Sequence, residues 1–78
     1  MPRYYFDARN DDACRFDDVG LVLAGVEAAQ EEATRALAAL SQGILVGTHR
    51  KVLAIEVRDE AKQALFELKL VLHATSRR

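Results

Sequence analysis

A single cysteine, Cys14, leaves this sequence without a partner for an internal disulfide. That shortage argues for a reducing cytoplasm and against a small secreted domain held by cross-links. Long apolar runs are missing too. The longest, LVLAGV and ILVG, fall far short of the ~18 residues that span a bilayer, and the opening Met-Pro-Arg-Tyr lacks the basic-then-apolar pattern of a secretion signal. A soluble cytoplasmic protein with no membrane association is expected. Neither sign of charge dominates: the net charge is −1, so no global field draws nucleic acid or anionic lipid. A phosphate-cradling loop is also absent, because GILVGTHRK has two glycines near a lysine without the Walker spacing.

What remains is the composition of one small globular domain spanning residues 1–78, half hydrophobic and 29% charged. A chain of this size buries only about 60–65% of the surface its unfolded form exposes. Domains so small often recruit a metal or a second subunit. Charge is unevenly spread: residues 1–34 carry three arginines against eight carboxylates, and residues 35–78 carry eight basic residues against four acidic ones. That asymmetry either helps two copies pair or neutralises itself within one fold.

Residues Arg3 to Arg9 alternate, with Tyr4, Phe6 and Ala8 on one face and Arg3, Tyr5, Asp7 and Arg9 on the other, which predicts a strand. NDDA supplies turn chemistry, and Cys14-Arg15-Phe16 then returns as a second strand with Cys14 and Phe16 inward. DDVG breaks that strand, and LVLA is a connector or a further strand fragment. From Val26 to Gln42, Val26, Ala29, Ala33, Leu37, Leu40 and then Ile44 recur at helical spacing. Gly25 is the expected N-cap, Glu27 suits the first turn, and Glu31 precedes Arg35 by one helical step. Gly43 and Ile44 are expected to close the helix in a Schellman-type cap. After a polar GTHRK loop, Val52 to Arg58 and Gln63 to Leu72 alternate again around the DEAK turn, giving a second hairpin. The tail 73–78 shows no periodicity and is expected to be unstructured. The predicted architecture is α+β, a two-layer β-β-α-β-β arrangement with a four-stranded antiparallel sheet and one helix across one face.

Chemistry-bearing residues are few. Asp11–Asp12 and Asp17–Asp18 are adjacent pairs rather than alternating calcium ligands, so solvated turns are expected there. His49 and His73 lack zinc-type neighbours, and Cys14 on an inward face behaves as a small hydrophobe. No catalytic residue, metal or cofactor is therefore expected. The outward sheet face is the candidate interaction surface, through Arg3, Tyr5, Asp7, Arg9, Leu65 and Val71. The expected partner is a second copy of the chain, at that face or at the long final strand, or else an unidentified protein. A basic patch of Arg50, Lys51, Arg58 and Lys69 on the second hairpin is the alternative, as a nucleic-acid-binding or regulatory module. It is disfavoured, because only Tyr5 offers an outward ring for base stacking.

MPRYYFDARNDD, the D-x-x-G at Asp17 to Gly20, EAAQEEATRALAAL and IEVRDEAKQALFEL together resemble a family of short bacterial hypothetical proteins of unknown function. Members typically open Met-Pro-Arg-Tyr, an aromatic, then Phe. The sequence departs from the family at Asp7, where members more often carry His, at Ala61, where a turn glycine is common, and at the helix start, where Ser or Asp is common. The resemblance implies a small cytoplasmic α+β protein and no assigned activity. A looser likeness, to the antitoxin halves of toxin–antitoxin pairs, rests on a helix over a small sheet and carries little about function.

Overall fold

The computed structural model describes residues 1–44, 49–75 and 77. Its elements are β1 (Arg3–Asn10), β2 (Ala13–Arg15), β3 (Leu21–Val22), α1 (Val26–Ile44), β4 (Arg50–Arg58) and β5 (Ala64–His73). The sheet is antiparallel in the order β2-β1-β4-β5, and β3 pairs with β1 beside β2. This is the predicted α+β arrangement with one extra strand, the LVLA fragment having become β3.

The helix lies on the face that gathers the large apolar side chains of β1, β4 and β5. Tyr4, Ile55 and Val57 from the sheet pack with Ala29 and Ala33 from the helix, all buried, and Phe6, Ala8, Leu23, Ala36, Leu37, Phe66 and Leu68 fill in around them. Ala29 and Ala33 are fully enclosed. Their small side chains let the helix axis approach the sheet, and β1 and β4, the two central strands, supply the floor. Leu53 and Val57 are the largest fully buried side chains, both on β4.

Several sequence expectations need correction. Cys14 and Phe16 do not face the core: Cys14 is exposed, and Phe16 is 74% exposed. A two-residue turn at Asp11-Asp12 sets Cys14 opposite Arg9. Cross-strand partners share a face, so Cys14 and then Phe16 fall with Tyr5, Asp7 and Arg9 on the face away from the helix. The helix runs two residues further than expected and takes Gly43 inside it, so Gly43 is not a left-handed cap. The side chain of Ile44 and residues Gly47 and Thr48 of the GTHRK loop lie outside the described residues, as do Ser76 and Arg78 of the tail. Val26, expected on the apolar stripe, is exposed, and Arg35 pairs with Glu32 at 3.1 Å rather than with Glu31. Gly25 does accept the first helical bond, from the Ala29 N–H at 3.1 Å. At the far end of the second hairpin β5 continues through His73, and the Ala74 N–H donates to the His49 carbonyl at 2.7 Å.

The β4–β5 turn is organised by Asp59, whose Oδ1 accepts the N–H groups of Ala61 and Gln63. The left-handed residue there is Lys62, φ 65°, one position after Ala61. A register shift between Val57 and Arg58 leaves Leu65 as the extra residue of a β-bulge.

Candidate functional site

The outer side of β1 has two neighbours that do not meet. β2 covers Ala8 to Asn10, and β3 covers Arg3 and Tyr4. In the gap the Phe6 N–H donates to Asp17 Oδ2 at 3.0 Å, so a carboxylate stands where a strand would otherwise be. The other oxygen, Oδ1, accepts the N–H groups of Val19 at 3.0 Å and Gly20 at 3.1 Å, forming an Asx turn. Gly20 has φ +74°, and a Cβ built on it would sit 2.8 Å from the Tyr4 carbonyl oxygen. No L residue with a side chain fits that position without strain. The D-x-x-G motif is therefore one device, a carboxylate that closes a sheet edge and a glycine that lets the loop lie against it. Burial pushes the Asp17 carboxyl up. The backbone N–H groups of Gly20, Phe6 and Val19, with the charge of Arg58, outweigh burial and hold it below the ordinary carboxylate value.

Asp7 lies beside this loop, on the face away from the helix, and is 4% exposed. Arg58 covers it: Nε donates to Oδ2 at 2.6 Å and Nη2 donates to Oδ1 at 3.1 Å. Nη2 also donates to the Asp17 carbonyl at 3.1 Å, and the Asp17 N–H donates to Asp7 Oδ1 at 2.9 Å. The register pairs Tyr5 with Arg58 and Asp7 with Glu56. Arg58 thus reaches diagonally to Asp7, while its guanidinium stands 5.3 Å from the Tyr5 ring centroid. The bulge at the end of the β4–β5 ladder falls beside Arg58 and bends the chain there. The hydrogen bond to Asp7 raises the Arg58 pKa against the opposing effect of burial. Arg3 completes the cluster, its Nη1 donating to the Val19 carbonyl at 2.8 Å and its backbone N–H to Glu60 Oε1 at 3.3 Å.

Above these groups runs an open groove of about 510 Å³, lined by Tyr5, Phe16, Asp18, Glu56, Arg58 and Lys62 among others. Both Asp7 oxygens are already engaged by Arg58 and Asp17, so this carboxylate acts as a latch between β1, β4 and the loop after β2. Asp7 is also the position at which the resemblance expects His. Asp17 and Gly20 have roles that alternation does not reveal, although D-x-x-G is the signature of an Asx turn. Sequence alone places Arg58 in the basic patch, because nothing in it says that β1 and β4 are neighbours.

The other expected site residues are dispersed. Arg9 is exposed opposite Cys14, and Leu65 and Val71 are 39% and 58% exposed along β5. Lys51 Nζ meets Asp11 Oδ2 at 3.2 Å. Asp11, at φ 52°, also donates its N–H to the Val52 carbonyl at 2.8 Å and accepts the Val52 N–H at 3.1 Å. These bonds, the Val52 N–H foremost and then Lys51, lower the Asp11 pKa. Lys69 lies 3.9 Å from Glu67 on the same strand. Arg50 is exposed at the end of β4 remote from Arg58, about 25 Å away at the rise of an extended strand. Three of the four basic residues thus have a carboxylate within 4 Å, and Arg50 acts on Asp11 through its charge alone.

Among the described residues no three His, Cys, Asp or Glu side chains converge on a metal-sized site, and no helix is long and apolar enough to cross a membrane. The family model for a domain of unknown function, DUF6894, matches residues 3–71. The chain belongs to the DUF6894 family. The DUF6894 match takes in Arg3, Asp7, the Asp17–Gly20 turn, Arg58 and β5 as far as Val71. Neither the curated proteins nor the solved structures hold a match to the chain.

Proposed function

We propose that this DUF6894 chain is a non-catalytic protein-interaction module that works by self-association in the cytoplasm. The observation that carries the reading is β5, a ten-residue strand at the end of the sheet. No strand among the described residues pairs with its outer side. A long unpaired edge is a template for another strand, and proteins that stay monomeric usually shorten, charge, bulge or cover such edges; here the bulge is confined to Leu65 and the ladder from Phe66 to His73 runs without a shift. Leu65 and Val71 add exposed apolar surface beside it. The polar cluster supports the same reading, because Asp7, Asp17 and Arg58 hydrogen-bond to one another and to the backbone of the fold.

Sedimentation equilibrium of the intact chain at micromolar concentration is the test. A dimer is expected. A single species at the monomer mass of 8.7 kDa across the accessible concentration range would remove the proposal.

A further inference from the structure

The free edge of β5 carries a pattern that specifies how a second copy meets it. In an antiparallel ladder, residues whose N–H and C=O point to one side alternate with residues whose groups point to the other. The Ala74 N–H donates to the His49 carbonyl, and the β4–β5 register runs without a shift from Arg50–His73 to Val57–Phe66. The even-numbered residues Phe66, Leu68, Leu70 and Leu72 therefore direct their backbone groups to β4. Glu67, Lys69, Val71 and His73 direct theirs to the free edge.

A second β5 can add in antiparallel sense only where free groups meet free groups. Odd positions must then face odd positions, and a two-fold axis passes through a residue that lies opposite itself. With the axis at Glu67, two glutamates face each other. With the axis at Lys69, two lysines do. With the axis at Leu68, between them, Glu67 faces the partner's Lys69 and Lys69 faces the partner's Glu67. The same register sets Leu65 opposite Val71 of the second copy on the open face. On the helix side it sets Phe66 opposite Leu70, and Leu68 against itself. The segment Leu65–Val71 is thus symmetric in its apolar positions and antisymmetric in its charges about Leu68. Opposite charges directly across a ladder are favourable and like charges unfavourable, so neighbouring registers are penalised.

We propose that two copies join edge to edge through β5, antiparallel, with the two-fold axis at Leu68. One continuous sheet results, with both helices on the same face. The inference rests on the self-association proposed above and adds its partner strand and register.

Glu67 and Lys69 are exposed on the open face, opposite Glu56 and Ala54 of β4, so charge reversal should leave the protomer folded, which urea unfolding followed by circular dichroism checks. Glu67→Lys and Lys69→Glu each turn two favourable contacts into two repulsive ones. Sedimentation equilibrium should show the dimer weakened by about tenfold or more in each. An equimolar mixture of the two variants should restore it as a heterodimer, and the double variant E67K/K69E should restore the homodimer. If the wild-type chain is a dimer but the single variants remain dimers, or the mixture fails to recover one, the register is wrong while self-association stands. A monomeric wild-type chain overturns both.

Discussion

The two edges of this sheet are treated in opposite ways. On the β1 side the chain spends the whole stretch between β1 and the helix on closure: a three-residue strand, a two-residue strand, and the Asp17 carboxylate in the gap between them. On the β5 side, among the described residues, no strand or loop covers the ladder, and the only departures from a plain edge are the bulge at Leu65 and the charges of Glu67 and Lys69. The contrast shows that openness at β5 is not a general property of a small sheet. The same chain closes an edge with few residues where closure is required. Charge follows the same division, with carboxylates concentrated around the closed edge and held there by backbone N–H groups and Arg58. Along the open edge, single charges of both signs alternate with apolar residues.

Damage to the closed edge should cost the fold itself. The largest effect is expected at Gly20→Ala, which combines a left-handed backbone with a Cβ 2.8 Å from the Tyr4 carbonyl oxygen. Urea unfolding should show a loss of roughly 2–4 kcal/mol, with the loop detached from β1. A variant as stable as the wild type would mean that this loop is not held against the strand.

Next comes Asp17→Ala, which leaves the N–H groups of Phe6, Val19 and Gly20 without their acceptor, for an expected loss of roughly 1–3 kcal/mol. The same carboxylate sets a pH dependence. Its folded pKa is lowered from the ordinary 3.8, so its contribution is complete above that value and is lost as pH falls through the lower folded one. Asp11, lowered as well, adds to this trend. Thermal melts of the wild type should weaken below about pH 4, and Asp17→Asn should weaken less steeply. Parallel acid profiles for the two would separate Asp17 from the stability of the edge.

The smallest effect on folding is expected at Phe16→Ser. The ring is 74% exposed, so stability should stay within about 0.5 kcal/mol in the same unfolding experiment. A larger loss would place Phe16 in a packing role that its exposure denies.

The fold was largely legible in the sequence, because each element has a period of its own. Tyr4, Phe6, Ile55, Val57, Phe66 and Leu68 alternate toward the helix as expected, and Ala29 and Ala33 meet them. The site was legible only in pieces. Tyr5 and Asp7 were placed on the outward face by parity. Their connection to Arg58 depends on β1 lying beside β4, a pairing between distant segments that no local pattern encodes. The misplacement of Cys14 and Phe16 has the opposite cause. Their pairing is local, but its parity depends on whether the turn holds two residues or three. The DEAK stretch shows the same sensitivity, since the left-handed position fell on Lys62.

The Asp7–Arg58 latch joins residues 51 apart in sequence, whereas β4 and β5 are joined by a five-residue turn. Closing a loop that contains the whole helix costs more entropy than closing a short hairpin, and pairing at long separation is slow. Refolding of the whole chain is therefore expected to form the β4–β5 hairpin before β1 pairs with β4. A hairpin formed without β1 would leave the other side of β4 bare as well, a more adhesive arrangement than the native sheet. With β5 unpaired on its outer side among the described residues, the order of pairing during folding and the state of assembly afterwards become one problem: which strand finds β4 first, its own β1 or another molecule.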